Sequence, residues 1–206
     1  MATDSDLQAS IETLAIPGVL IGHRLIAQGD ELALLPDEQR AFANSVTKVQ
    51  RASGAARIVA RELMSQLGYA AQPILKSEAG VPIWPAGLVG SLAHSADVAI
   101  AALAWKKDVA GIGIDVEPAE QLAPDLLNLV ATDNERRAIA ADPYQGRLLF
   151  AIKEAVYKAV NPADGVFLEH HDVEVSFATS TAATRTGRTV KFRYALSSHI
   201  VAVAFI

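Results

Sequence analysis

The amino-acid sequence predicts an α+β protein of two similar lobes, a pseudo-dimer in which each lobe has a small antiparallel sheet packed with helices. Strand-like runs are grouped in clusters, which favours antiparallel sheets over a doubly wound parallel sheet. In each half of the 206-residue chain, helical stretches precede or flank such a cluster. That repeated order predicts an N-terminal lobe at 1–110 and a C-terminal lobe at 111–206, with the boundary near "KKDVAGIG".

The first half begins with a short strand-like run, "IPGVLIGHRLIA", and continues through polar "PDEQRAFANS" into one long helix. Apolar residues recur at helical spacing over 46–68, and Gly68 suits the C-cap of that helix. Residues 73–88 carry three prolines and two glycines, which predicts a loop. Two strand-like runs follow, "VGSLAHS" and "DVAIAALAW", with a "KKD" turn after the second.

The second half opens on the strand-like run "VAGIGIDVEP" and continues with three helical stretches. These are "LAPDLLNLVA", "TDNERRAIAA" with a capping-box pattern at its start, and "YQGRLLFAIKEAVYKAV", which Asn161 and Pro162 are expected to end. Three strand candidates close the chain: "DVEVSFATS", "TVKFRYALSS" and "HIVAVAFI". We expect His170 and His171 to be surface residues leading into the first of these strands.

Composition excludes several classes of protein. The hydrophobic content of 51% predicts a globular chain, and no uncharged apolar stretch is long enough to predict a transmembrane helix. The N-terminal residues are acidic and polar, so no secretory signal is expected, and the absence of cysteine fits a cytoplasmic protein. The net charge of −5 argues against general affinity for nucleic acid or anionic membranes.

Two carboxylates end the strand "GIGIDVEP". Asp115 and Glu117 are two residues apart and share one face of the strand, where like charges repel unless water, a base or a cation lies between them. They are either hydrated acids at a strand end or part of a divalent-cation site. Glu154 and Lys158, four apart on the next long helix, are either an exposed ion pair or a third carboxylate with a phosphate contact.

Cationic and hydroxyl side chains form a second group of candidates. "GSLAHS" places Ser91, His94 and Ser95 where a strand-like run breaks, so this His either packs structurally or donates to a phosphate. Arg57 and Arg61 share one face of the long first helix. Arginines in such a position are either solvated or, beside anionic groups, able to hold a polyphosphate.

Four of these stretches, in this order and at these separations, resemble the signatures of the 4′-phosphopantetheinyl transferases. The similarity is to the long, pseudo-dimeric type associated with enterobactin and surfactin synthetases, and the stretch "WPAG" at 84–87 resembles the enterobactin branch. It covers about residues 40–160. The matching motifs are Gly80-Val81-Pro82, "SLAHS" at 91–95, "GIDVE" at 113–117 and "KEAVYK" at 153–158.

The resemblance implies two α+β lobes with the active site in the cleft between them. It implies transfer of 4′-phosphopantetheine from coenzyme A to a serine of an acyl, peptidyl or aryl carrier protein, with release of 3′,5′-ADP. Mg²⁺, for which Mn²⁺ can substitute, is the implied cofactor, and coenzyme A the co-substrate. The resemblance also implies that the protein is a monomer, that its partners are carrier proteins, and that it binds no nucleic acid.

The resemblance also assigns roles to residues. It implies Asp115, Glu117 and Glu154 as Mg²⁺ ligands, with Glu154 or a metal-bound water as the base for the carrier serine. Lys158 would stabilise the transferring phosphoryl group. For coenzyme A it implies His94 as a phosphate contact, Arg57 as the 3′-phosphate contact, and Gly80, Pro82 and Ser91 as further binding residues, with Arg51 and Lys48 as other candidates for the anionic end.

Two other functions remain as alternatives. A different Mg²⁺ enzyme, such as a nucleotidyl transferase or phosphohydrolase, could use the same three acids. A non-catalytic carrier-binding protein derived from a transferase is the other alternative, and it would be expected to have lost an acid or the lysine of these motifs. Both the acids and the lysine are present here.

Overall fold

The computed structural model describes residues 4–139, 142 and 144–206. The chain divides into two compact units, one formed by residues 15–110 and the other by residues 1–14 together with 111–206. The first 14 residues, expected in the N-terminal lobe, therefore belong to the unit that contains the C-terminal half.

The unit of residues 15–110 consists of a three-stranded antiparallel sheet covered by a long helix, α3. The strands lie in the order β1-β5-β4. The buried face of α3, with Val59, Leu63 and Met64, packs with Leu103 of β5 and with Ile74. A two-stranded hairpin, β2–β3, completes the unit. The elements are β1 (Val19–Leu25), α2 (Pro36–Phe42), α3 (Thr47–Gln66), β2 (Leu75–Lys76), β3 (Pro82–Ile83), β4 (Leu88–His94) and β5 (Val98–Trp105), with a 3-10 turn at Asp30–Ala33.

The second unit consists of a five-stranded antiparallel sheet in the order β6-β10-β9-β8-β7 and a 20-residue helix, α6, that packs on it. The apolar face of α6 forms one buried cluster with side chains of the sheet. The elements are α1 (Asp4–Glu12), β6 (Ile112–Pro118), α4 (Pro124–Val130), α5 (Asp133–Ala138), α6 (Gln145–Asp164), β7 (Val173–Ser176), β8 (Thr181–Thr184), β9 (Thr189–Leu196) and β10 (His199–Phe205), with a 3-10 turn at His170–Asp172.

Because Gly113 has no side chain, the backbone of α6 packs directly against the backbone of β6. A Cβ built on Gly113 would lie 1.9 Å from the carbonyl oxygen of Ala155 and 2.6 Å from the amide nitrogen of Ala159. Only a glycine permits so close an approach. Because Gly113, Asp115 and Glu117 alternate along one strand, the two acids share the face of β6 that lies against α6.

The predicted α+β class with antiparallel sheets is confirmed, and several boundaries differ from the sequence prediction. Helix α6 continues through Pro162 and ends at Asp164, and the next residue, Gly165, has a left-handed φ of 64°. Pro162 has no N–H to donate to the carbonyl of Lys158, four residues earlier, and the helix ends two residues after it. Helices α1 and α2 lie in segments that read as merely polar, β8 was not predicted, and the predicted loop contains the β2–β3 hairpin. The predicted helix at 132–141 ends at Ala138 in the structure, and its last two residues, 140 and 141, lie outside the described residues. Over the described residues, no helix has the length and apolar character needed to cross a bilayer.

Candidate active site

The candidate site is built where β6 and α6 meet. Asp115 lies opposite Ala202 of β10 and is 6% exposed, so its carboxylate is held inside the unit. Lys158, near the C-terminal end of α6, donates from Nζ to Oδ1 of Asp115 at 2.6 Å and to the carbonyl of Ile114 at 3.3 Å. Of the two helix residues expected at this site, Lys158 is thus joined directly to Asp115 on the strand.

Burial raises the pKa of Asp115, and the charge of Lys158 opposes that increase only in part. Among the described residues, nothing donates a hydrogen bond to Oδ2 of Asp115, although that atom is buried. A buried carboxylate oxygen without a partner is costly. The folded chain therefore presents an anionic oxygen that a cation could coordinate.

Glu117 is paired with a cation that the sequence did not single out. Arg147, in the first turns of α6, donates from Nη1 to Oε2 of Glu117 at 3.0 Å. Burial raises the pKa of Glu117, as does the neighbouring charge of Asp115, whereas Arg147 lowers it. Arg147 lies two turns before Glu154 on the same helix, so the two residues are on one face of α6. That spacing is the sequence signal that could have identified Arg147 as a residue of the site.

Glu154 contacts His170. The Nε2 of this histidine lies 3.2 Å from Oε1 of Glu154, and the two side chains are 32% and 31% exposed. The hydrogen bond from His170 is the main cause that lowers the pKa of Glu154, and the charge of Lys158 contributes as well. His170 is, as predicted, a partly exposed residue directly before β7, and the turn that carries it folds back onto α6, a contact that the sequence did not predict.

Lys153, the first residue of the KEAVYK motif, is structural. It is 1% exposed, and its Nζ donates to Oε2 of Glu135 at 2.7 Å and to the carbonyls of Val130 and His170 at 2.8 Å each. Glu135 also accepts from the amide of Val175. This buried pair joins α6 to the ends of α4, α5 and β7, and so fixes the backbone beside Glu154.

A groove of about 500 Å³ opens beside Glu154. Much of its lining is apolar, and Phe167 and Leu129 are each 66% exposed. A carboxylate and a mostly apolar wall thus share one concave surface. The lining residues are Leu129, Glu154, Tyr157, Phe167, Leu168, Glu169, His170 and His171.

The donor set fits a magnesium ion that keeps few protein ligands. Across residues 4–139, 142 and 144–206, no three acidic or histidine side chains form a cluster that could hold a metal. Mg²⁺ is commonly held by one or two carboxylates together with substrate phosphates and waters. Asp115, through its unpartnered oxygen, and Glu117, on the same strand face, meet that requirement, whereas Glu154 is engaged by His170.

In the other unit, four predicted residues lie on β4 or on the β2–β3 hairpin. His94 is exposed and is the last residue of β4, whereas Ser91 is 4% exposed within that strand. Gly80 has a φ of 79° and closes the turn of the β2–β3 hairpin, which Pro82 continues by pairing with Lys76. The hairpin geometry thus explains why the Gly-x-Pro sequence occurs there.

Two arginines predicted to meet the anionic end of coenzyme A are bound inside this unit. Arg57 is 2% exposed and donates to the carbonyls of Ile74 and Ser53 at 3.0 to 3.2 Å, with Glu38 at 3.4 Å. Arg51 forms an ion pair with Glu31 at 2.8 Å. Either guanidinium would have to exchange these partners to contact a phosphate, so in this structure both stabilise the fold.

Comparison with known proteins identifies the same family in both halves. A family model described as "4′-phosphopantetheinyl transferase N-terminal domain" matches residues 37–104. A second, "4′-phosphopantetheinyl transferase superfamily", matches residues 111–204.

Individual relatives agree with these models. The chain is 37% identical to the 4′-phosphopantetheinyl transferase PptT of Mycobacterium tuberculosis, over 77% of this chain and 71% of that protein. It is 34% identical to the 4′-phosphopantetheinyl transferase Npt of Nocardia iowensis, over 86% and 81%. It is 29% identical to enterobactin synthase component D of Salmonella typhimurium, over 87% and 84%.

Proposed function

Because the chain belongs to the 4′-phosphopantetheinyl transferase family, we propose that it transfers 4′-phosphopantetheine from coenzyme A to a serine of an acyl, peptidyl or aryl carrier protein. The serine oxygen attacks the phosphorus that carries pantetheine. The bond from that phosphorus to the bridging oxygen breaks, and 3′,5′-ADP leaves with the electron pair. The observation that carries the residue assignment is the junction of β6 and α6, where Asp115, Lys158 and Glu154 lie on adjoining elements.

We assign the cation site to Asp115 and Glu117. Its support is the buried Oδ2 of Asp115, which has no hydrogen-bond partner among the described residues, and the raised pKa of both acids, which reflects negative charge held in a desolvated place. A bound Mg²⁺ would neutralise the diphosphate of coenzyme A there. Whether Glu154 is a third ligand stays a prediction, since His170 engages its carboxylate.

Glu154 is the proposed base for the serine proton. Glu154 is ionised at neutral pH, and 31% of its side chain is exposed, so a substrate hydroxyl can reach it. An ionised, accessible carboxylate can accept the proton that the serine loses as it attacks. In the same proposal Lys158 exchanges its contact with Asp115 for the transferring phosphoryl group, whose charge it stabilises.

The groove beside Glu154 is the proposed place for the pantetheine arm. The arm is a long chain of methylenes and amides, so a wall containing Leu129, Tyr157 and Phe167 suits its apolar portions. This position would hold the arm, and the phosphorus attached to it, next to the base that takes the proton of the attacking serine. In the other unit, His94, Ser91, Gly80 and Pro82 remain proposed coenzyme A contacts.

The test is mass spectrometry of an apo-carrier protein incubated with the enzyme, coenzyme A and Mg²⁺. The proposal expects the mass gain of a phosphopantetheine group and stoichiometric 3′,5′-ADP. Hydrolysis of coenzyme A without modification of any carrier would favour a phosphohydrolase instead. Binding of carrier without either product would favour a non-catalytic carrier-binding protein. A chelator should abolish the mass gain, and Mn²⁺ should restore it.

A further inference from the structure

We propose that His170 is a positioning residue that holds the carboxylate of Glu154 in its reactive orientation. The inference rests on the proposed function, and it adds a residue that lies outside the four sequence motifs at 80–82, 91–95, 113–117 and 153–158. Its direct support is the 3.2 Å contact between Nε2 of His170 and Oε1 of Glu154.

The imidazole of His170 is itself held in place from two sides. The backbone carbonyl of His170 accepts a hydrogen bond from the buried Lys153 at 2.8 Å, and Lys153 is fixed in turn by Glu135. The ring packs against Phe150, one turn before Glu154 on α6, with ring centroids 5.4 Å apart. A side chain fixed at its backbone and at its ring can orient a partner.

Glu154 needs such a partner because the helix alone does not fix its side chain. Its carboxylate is at the surface of the groove and 31% exposed, and a glutamate has three rotatable side-chain bonds. A hydrogen bond to Oε1 selects one of the available rotamers. Oε2 is then the oxygen that accepts the serine proton. His170 does not itself touch the reacting atoms in this scheme.

The experiment compares two substitutions at His170. His170→Phe keeps a ring against Phe150 but removes the nitrogen that contacts Glu154, and we expect kcat to fall about 10–100-fold, as for other partners that orient a ligand or base. Coenzyme A affinity, measured by calorimetry, and the melting temperature should change little. His170→Gln places an amide donor within reach of Glu154 and should recover most of the lost kcat. His170→Leu is a second variant without a donor, for use if the Phe variant does not fold.

Arg185→Ala is the matched control. Arg185 donates to the carbonyl of Phe167 and pairs with Asp172, so it anchors the same segment without touching Glu154. We expect its kcat to stay close to that of the wild type. The inference is overturned if His170→Phe retains wild-type kcat, if the Gln variant is as slow as the Phe variant, or if Arg185→Ala is equally slow. If the wild type itself modifies no carrier, the proposed function has failed, which is a separate result.

Discussion

Replacing Gly113 with alanine should displace helix α6 from strand β6, which carries Asp115 and Glu117. The new Cβ would lie 1.9 Å from the carbonyl oxygen of Ala155, and contacts of a Cβ below 3.0 Å essentially do not occur. The obstacle is helix backbone, which cannot rotate away as a flexible side chain can. The helix must therefore move outward by about 1 Å, in a close-packed interior that resists such shifts.

The expected loss has two measurable parts. Overpacking a core costs about 1–3 kcal/mol, and a backbone obstacle places Gly113→Ala at about 3 kcal/mol. For a chain of this length that corresponds to a melting temperature lower by about 6–12 °C. Because Lys158 and Glu154 move with the helix, kcat should also fall, by about 10²-fold for a 1 Å misplacement, at temperatures where the variant is fully folded.

Gly146→Ala on the same helix is the control for this prediction. Its Cβ would meet only side chains, with Cδ1 of Leu127 at 3.2 Å and Cβ of Leu122 at 3.3 Å, and alanine favours a helix over glycine by about 1 kcal/mol. Its stability and kcat should therefore stay near the wild type. Thermal unfolding by circular dichroism and the carrier-modification assay measure both variants. A Gly113→Ala protein with wild-type melting temperature and kcat would refute the reasoning that this glycine sets the site geometry.

Three further predictions concern individual charges. Asp115→Asn should lose nearly all turnover, whereas its melting temperature in chelator should not fall. The reason is that the substitution removes a desolvated charge that has one oxygen without a hydrogen-bond partner among the described residues. A large drop in melting temperature would contradict this. Arg57→Ala should lower the stability of the protein and reduce its affinity for coenzyme A and 3′-dephospho-coenzyme A alike, because the partners of Arg57 lie inside the protein. A loss of affinity for coenzyme A alone, measured by calorimetry, would support a direct contact of Arg57 with the 3′-phosphate. The ion pair with Arg51 lowers the pKa of Glu31 from 4.5 to about 2. An acid whose pKa is lower in the folded state than in the unfolded state stabilises the folded protein at any pH above its unfolded-state pKa. The stability difference between wild type and Glu31→Gln in urea should thus be full above pH 4.5 and shrink as pH falls toward about 2; a difference that does not depend on pH would disprove the pairing.

Local sequence patterns were sufficient where the physical cause is itself local. The helix of residues 47–66 and the helix of 145–164 were predicted because apolar residues recur at helical spacing over many turns. Strands β4, β5, β6 and β10 were predicted because continuous apolar runs suit buried strands. Short elements such as β8, with four residues of which two are buried, lack enough periodicity to be seen alone.

The sequence by itself determined the family, the α+β class and the acids and lysine of the candidate site, because these depend on residue types at fixed spacings along one strand and one helix. Only the tertiary structure decided what each side chain contacts. It placed Arg147 on Glu117 and His170 on Glu154, pairs separated by 30 and 16 residues in the chain. It also buried Arg57 among backbone carbonyls, although an arginine on a helix reads as exposed. Such partners are brought together by the packing of distant segments, and no pattern within a segment encodes them.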